Sequence, residues 1–575
     1  MLEKIIEKFP LNVMQRRDQA GRVYIRAYKN VYEKLPDGSG RSKVGQCIQM
    51  GRLQEDGSIK LGKSFLKSYP EFEDQEVYYL DNQLLTREEY LTARGVMMIC
   101  EEYEDLYPPE SQIDSVRFFG ASYALDQLAR KQNLPELLRM TFGKRLGNDL
   151  YALAMYAAID TGASQHFQTW LSKNWVPNAR PLSSQRISEI YASVDSDSID
   201  RFWANKIQHR LSGSDQDIIC CAVDSTSIST YSKTIVTAAY GHNKQNEDLK
   251  QTNLVMAMDS NSRDVIFTKF VDGSIPDVRS FQPFFAEMVR RHFPMERFCL
   301  VMDRGYDSIK IIEQLLQANT KFTLAMRSTP WLKDEIVRCH EEIELPQHWS
   351  VKHEMYGMKS RYVVIKYDIG NGVTQEKRVN VMTYKNSERA TAEISNLMQN
   401  LGEFMVAKNA GDQVDESLWR TVRSFITTGH EDEKGWSFNQ EAIKKYKQLA
   451  GGFTLLTNMY DQPWPTLDLY RQRNVIEMGF DWLKNEVKGS RLFVSEKSFN
   501  GMLFTRILAQ MLRLALYNAV VKADLPRQGS EGGLPHLLEV LSVLKVKYEN
   551  GTWRVDQIPL RYREFFEKLE IPLPA

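Results

Sequence analysis

Apolar and polar positions follow three successive patterns along this chain. Residues 20–75 alternate in short runs: RVYIRAY has period two, PDGSG interrupts it, and KVGQCIQMGRL resumes it before a second turn at DGS. That is the pattern of half-buried strands joined by tight turns. Residues 83–210 change to longer runs spaced by three and four, as in LTREEYLTARGVMMICEEYEDL, SYALDQLARKQNLPELLRMTF and LSSQRISEIYASV, which predict helices. Within them, Ser183 or Ser184 can cap a short helix over 181–194. It reads either as a DNA-reading helix-turn-helix element or as a packing helix, packing being the more ordinary reading.

From Asp217 the runs shorten and become almost wholly apolar. DIICCAVDST predicts a buried strand, followed by a polar loop, YGHNKQNEDLKQ, and two further strands in NLVMAMDS and RDVIFTKFV. A helix (RSFQPFFAEMVRRHF), a strand (FCLVMDRGY), a helix (IKIIEQLLQAN) and a strand (KFTLAMR) complete a β-β-β-α-β-α-β order over 217–327. By analogy this order describes a ribonuclease H-like α/β architecture, although sheet order cannot be read from the pattern. Residues 328–456 break the rhythm with RYVVIKYDI, KRVNVMTY and a helical RATAEISNLMQNLGEFM, and read as a β-rich insertion. GGFTLLTN returns as a strand, and helices follow to the C-terminal region.

The expected organisation is therefore a ribonuclease H-like core interrupted by a β-rich insertion, with a β-rich N-terminal unit and helical N- and C-terminal regions. In residue terms it reads 1–80 small β-rich unit, 81–212 helical DNA-binding or dimerisation region, 213–328 first part of the core, 329–456 insertion, 457–525 second part of the core, and 526–575 C-terminal tail.

Composition narrows the function classes. The 575 residues carry 74 basic and 74 acidic side chains, a formal net charge of zero. Bulk charge thus gives no sign of nucleic-acid binding, and any such role must rest on local charge. The six cysteines include no CxxC pair, so a zinc cluster or disulfide framework is not expected and a reducing cytoplasm is. Cys220 and Cys221 would point to opposite faces of their strand. The N-terminal MLEKIIEKFPLNVMQRRDQ lacks a secretory pattern, and the longest apolar stretch, Leu150–Ile159, falls well short of the ~18 residues a membrane span needs.

Candidate chemistry sits at two strand ends. Asp224 and Asp303 each follow an apolar strand run, and strand ends in α/β sheets converge on one ligand-binding edge. Each aspartate alone could simply cap a turn. Two carboxylates brought together repel unless a cation joins them, and oxygen ligands suit Mg²⁺ or Mn²⁺. A third carboxylate lies in YRQRNVIEMGFDWLK, where Tyr470, Arg473, Glu477 and Lys484 are spaced by 3, 4 and 7 residues. Read as one helix, these fall on a common face, with Ile476, Phe480 and Leu483 on the buried side and Lys488 and Arg491 extending the positive charge. An ordinary solvated amphipathic helix gives the same pattern.

With those residues in place, the chain resembles the DDE transposases of insertion sequence family 4. Tyr470, Arg473, Glu477 and Lys484 match that family's Tyr-Arg-Glu-Lys signature at every spacing, and Asp224 in DST and Asp303 in DRGY look like its two aspartate motifs. The early β-rich unit and the YGH…DLKQ segment resemble the 1634 subgroup. The resemblance covers roughly 217–520 well and 20–215 loosely. It implies catalytic and metal-binding roles for Asp224, Asp303 and Glu477 with two Mg²⁺ ions per site, Mn²⁺ being a substitute. It implies DNA contacts from Tyr470, Arg473, Lys484 and Lys488, and a homodimer on terminal inverted repeats and target DNA in a bacterial cytoplasm or nucleoid. In such enzymes one strand is nicked and the freed 3′-hydroxyl attacks the other, in some through a hairpin. An aromatic in the last insertion strand stacks on a flipped base; Phe453 holds that position where relatives have Trp, and it reads equally as a core residue. A transposase-derived DNA-binding protein that no longer cuts, and another ribonuclease H-like nuclease, are the competing readings.

Overall fold

A computed structural model of the chain describes all residues except 1–8, 19–21, 35–39, 55–56, 81–82, 87–88, 91–115, 213–217, 241–248, 371, 429–434, 491, 526–532, 550–551, 556 and 575. Most of the PDGSG turn, the LTREEYLTARGVMMICEEYEDL run and the YGHNKQNEDLKQ loop, together with Arg491, lies outside the described residues. The chain forms two compact units, Met1–Ile113 and Asp114–Ala575. In the first, Asn12–Arg17, Val23–Lys34, Gly40–Leu53 and Ile59–Leu61 make a four-stranded antiparallel sheet, whose inward positions Val13, Ile25, Ala27 and Met50 pack with Phe65 and Phe72. Tyr78–Leu80 pairs with Gln83–Leu85. A boundary at residue 80 would cut that hairpin, which is why the unit runs on past the expected break.

The second unit is organised by one nine-stranded mixed sheet. Its strands in chain order are β1 (Ile219–Ser229), β2 (Gln251–Asp259), β3 (Val265–Val271), β4 (Phe298–Met302), β5 (Lys321–Ala325), β6 (Trp349–Ser350), β7 (Met355–Asp368), β8 (Thr374–Lys385) and β9 (Gly452–Thr457). They lie in the order β3-β2-β1-β4-β5-β9-β8-β7-β6. The first three are antiparallel, β1-β4-β5 are parallel, and the rest are antiparallel. β2 and β4 are buried at every position, as near-continuous apolar runs in a sheet covered on both faces should be.

Helices cover the sheet. In chain order those used below are α1 (Ser184–Ala192), α2 (Ser196–Leu211), α3 (Asp277–Arg290), α4 (Ile309–Gln317), α5 (Ser387–Ala410), α6 (Pro463–Arg471), α7 (Asn474–Asp481) and α8 (Glu496–Lys522). α3 packs on β1, β2 and β3, α7 on β1 and β2, and α6 on β4, β5, β7 and β8. α8 is buried on almost every side, from Phe499 and Leu503 to Leu512 and Leu516, because it lies against Gly120–Lys131, Lys144–Ile159, α1 and the segment after α7. A helix apolar all round belongs in a core. Through it the helices of 120–211 share one core with the sheet: Phe202 and Trp203 of α2 meet Phe504 of α8 edge-on.

Two expectations change. The segment 329–456 contains more helix than strand, its longest element being α5, capped by the Asn386 side chain and by Gly411 at φ +79°. Its strands β6–β8 extend the main sheet, because β9 pairs with β5 on one edge and β8 on the other. The C-terminal region is likewise more than a tail: Lys545–Glu549 pairs with Thr552–Val555 and with Val116–Phe118. Among the described residues no helix is long and apolar enough to cross a membrane.

Gly479 sets how closely α7 approaches the sheet. A Cβ there would collide with the sulfur of Met258 in β2, which is fully buried, and the Gly479 carbonyl accepts a 2.7 Å hydrogen bond from the Gln510 side chain of α8. Gly479→Ala should therefore lower stability by about 1–3 kcal/mol in denaturant unfolding; an unchanged midpoint would contradict the contact.

Candidate active site

Side-chain alternation along β1 and β4 sorts their residues onto two faces. Cys221 and Val223 of β1, with Leu300 and Met302 of β4, join the main core, whereas Cys220, Cys299 and Val301 form a separate cluster with Leu469 of α6. Cys220 and Cys221 thus point apart, as strand geometry requires. The parallel register sets Val223 against Met302. The next residues on the two strands are Asp224 and Asp303, on the α6 face, with backbones about 4.8 Å apart in such a ladder.

One expectation is corrected here. Asp224 does not end its strand: β1 continues to Ser229, paired with β2 throughout. It is β4 that stops at Met302, so Asp224 stands in mid-strand where its neighbour has ended, and the sheet opens beside it. Its Oδ1 accepts a 2.8 Å bond from the Ser225 amide. Asp303 caps the 3₁₀ turn Arg304–Tyr306, its Oδ1 accepting from the Arg304 amide at 2.8 Å and from the Tyr470 hydroxyl at 3.0 Å. Arg327 braces this turn, donating from Nε to the Arg304 carbonyl at 2.9 Å and from its amide to Asp307 at 2.8 Å. An arginine just past a strand carries no sequence signal for that role.

The segment with the third carboxylate is not one helix. α6 ends at Arg471, and the chain tightens through i→i−3 bonds, Arg473 to Tyr470, Val475 to Gln472 and Ile476 to Arg473, before α7 begins. Trp482–Glu486 then widens into a π turn that carries Lys484. The whole-turn spacing therefore does not hold as far as Lys484. It does hold locally: Ile476, Phe480 and Leu483 are buried, and Arg473 and Glu477 meet four residues apart.

Arg473 is the centre of the arrangement. Its Nη2 donates to Glu477 Oε1 at 2.9 Å, and its Nη1 lies 4.0 Å from Asp303 Oδ2. Burial works against the guanidinium's charge, but the fields of Tyr470, Asp303, Glu477 and Asp224 outweigh it and hold Arg473 above the ordinary arginine range. Burial, reinforced by the Asp303 charge, pushes the Tyr470 phenol well up, so it is a neutral donor to Asp303. One guanidinium thus stands in the field of three carboxylates, and its buried Nε has no acceptor among the described residues. No three His, Cys, Asp or Glu side chains among those residues stand close enough to enclose a metal ion; Glu477, 60% exposed, reaches the aspartates through Arg473. The donor set nevertheless fits a hard divalent cation, being all carboxylate oxygen with one monovalent cation to offset it.

The remaining sequence candidates lie further out. Lys488 is exposed at φ +51°. Phe453, in β9, stacks on Tyr384 with ring centroids 4.9 Å apart and planes 16° from parallel, in a cluster with Met355, Met382, Leu455 and Leu467. One ring face is therefore taken by the core.

Residues 215–512 match the family described as Transposase DDE domain. No curated protein matches. Among solved structures, the chain is similar to the piggyBac transposase in its synaptic complex with hairpin DNA, at 12% identity and a TM-score of 0.34, covering 73% of this chain and 78% of that one.

Tyr470→Phe removes one hydroxyl bond to Asp303, a partly exposed acceptor, and should cost about 1 kcal/mol of stability. Equilibrium unfolding of the two proteins measures it; coincident curves would mean that the bond contributes nothing.

Proposed function

The family match spans more than half of the chain, so the protein belongs to the transposases built on a DDE domain, and we propose that Asp224, Asp303 and Glu477 are its catalytic carboxylates. The observation that supports this most strongly is that Arg473 binds Glu477 at 2.9 Å and lies 4.0 Å from Asp303, while the parallel register sets Val223 and Met302, the residues before Asp224 and Asp303, opposite each other, although the three carboxylates come from distant parts of the chain. A transposase acts on DNA, and the proposed substrate is the terminal inverted repeat of an insertion sequence, in the manner of family 4 enzymes. Strand order β3-β2-β1-β4-β5, three antiparallel strands followed by two parallel ones, supports a ribonuclease H-like core.

In this reading Asp224 and Asp303, with Glu477, hold two Mg²⁺ ions or Mn²⁺ in their place. Such ions lower the pKa of an attacking water or 3′-hydroxyl and stabilise the leaving oxygen of a phosphodiester. The protein's own groups position the rest. Tyr470 fixes one oxygen of Asp303 by a neutral hydrogen bond. Arg473, whose buried Nε has no acceptor among the described residues, offers its guanidinium to the scissile phosphate, a role for which guanidinium geometry is suited. Lys484 takes backbone phosphates beyond it. The reaction class is nicking of one strand, attack by the freed 3′-hydroxyl on the other, and transfer of the ends into target DNA by a homodimer on the bacterial nucleoid.

Glu477→Gln should retain binding to a labelled inverted-repeat duplex while cleavage falls by about a thousandfold or more. In the wild-type protein a chelator should stop cleavage and Mg²⁺ should restore it. Normal cutting by the variant would remove Glu477 from the site, and normal cutting under chelation would remove the metal.

A further inference from the structure

A second anion-seeking feature lies in the same unit, away from the three carboxylates. A groove of about 1180 Å³ is walled by α1, the start of α8 and the loops around 162, 232 and 490. Among the described residues no carboxylate lines it, in a chain that carries as many acidic as basic side chains.

Two buried polar atoms on its walls have no hydrogen-bond partner among the described residues: Nη1 of Arg506 and the hydroxyl of Ser490. Arg506 is 5% exposed, and its Nη2 donates to the Gly162 carbonyl at 3.3 Å. Burial pulls this guanidinium below its ordinary range, and the opposing influences are phenols, Tyr191 and Tyr156. A buried arginine is normally matched by a carboxylate or a ligand. Lys233 and Lys488, both exposed, add positive charge at the mouth and form no ion pair among the described residues. Two helix starts contribute as well: Ser184 opens α1 and Ser495 precedes α8, and helix N-termini favour anions. Tyr231 and Phe493, 52% and 80% exposed, stand beside these donors.

The groove is continuous with the catalytic sheet. β1 runs on from Asp224 to Ser229, after which the Thr230 hydroxyl and the Tyr231 amide bind the Leu492 carbonyl at 2.8 and 3.2 Å. Seven residues at strand rise separate Asp224 from Tyr231, roughly 23 Å, or about seven base pairs of duplex.

We propose that this groove is a second DNA-backbone site, in which Arg506, Ser490, Lys233 and Lys488 bind phosphates of the same duplex whose end is cut at Asp224 and Asp303, with Tyr231 and Phe493 packing on its sugars or bases. The site rests on the transposase reading above. Its volume exceeds what one free phosphate fills, and exposed aromatic faces suit nucleotides.

The test uses the full-length protein, chelator present, and a fluorescent duplex of about 30 base pairs titrated across a range of salt. Lys233→Ala with Lys488→Ala, its fold checked by circular dichroism, should weaken binding by about tenfold or more and flatten the log–log salt slope by about 2, the loss of two phosphate contacts. Phe493→Ala should weaken binding without changing the slope. If the wild type binds and the double variant keeps its affinity and slope, the groove is not a DNA site while the catalytic assignment stands. If the wild type binds no duplex, both readings fall. Inorganic phosphate, at equal ionic strength, should displace the duplex no better than chloride; stronger displacement from the wild type but not the double variant would make this a free-anion site instead.

Discussion

Parallel pairing of β1 with β4 places Val223 opposite Met302 and so brings Asp224 and Asp303 out side by side on one face of the sheet. Everything else at the site is arranged around that register. A slip of one residue would turn one aspartate into the apolar core, where an unpaired carboxylate is not tolerated. The full burial of β4 makes such a slip costly, since all five of its residues are packed on one side or the other. The early stop of β4 matters as much as its register. It leaves Asp224 facing an open sheet edge while β2 still holds the strand that carries it.

Two acidic groups placed together by packing create an electrostatic problem that the rest of the site answers. Arg473 stands between them and Glu477, and its position follows from the tightened turn between α6 and α7. Tyr470 supplies a neutral donor to Asp303 from the end of α6. Gly479 lets α7 lie close against Met258, which sets the depth at which Glu477 is presented. Arg473 thus links Glu477 to Asp303, and Tyr470 holds one oxygen of Asp303; carboxylate oxygens of this kind suit hard divalent ions.

The same sheet links the site to its surroundings. β9 bridges β5 and β8, so that the segment between Asp303 and Glu477 grows out of the main sheet. β1 extends past Asp224 toward the groove walled by α1 and α8. α8, buried on nearly every side, ties the helices of 120–211 to the sheet. Anything bound along β1 is therefore bound to one packed body.

Much of this was legible in the sequence for a local reason. Buried strands read as short apolar runs, and the strands and helices from 219 to 325 appear in the structure in the predicted order. The candidate residues Asp224, Asp303, Tyr470, Arg473 and Glu477 were identifiable from residue type and spacing, and the DDE transposase family was recognisable from the same motifs. What the sequence left undecided depends on contacts between distant residues. Pairing across strands, not apolar pattern, decides that β1 outlasts β4, that β6–β8 join the main sheet, and that the C-terminal strands pair with Val116–Phe118. Spacing by three and four cannot show a helix tightening at Arg473 or widening into a π turn at Lys484, since such departures depend on the elements packed around them, α7 lying on β1 and β2 and the π turn against α8. Nor can it show Arg506 buried without a carboxylate beside it among the described residues: an arginine among apolar residues acquires that meaning only when the fold closes around it.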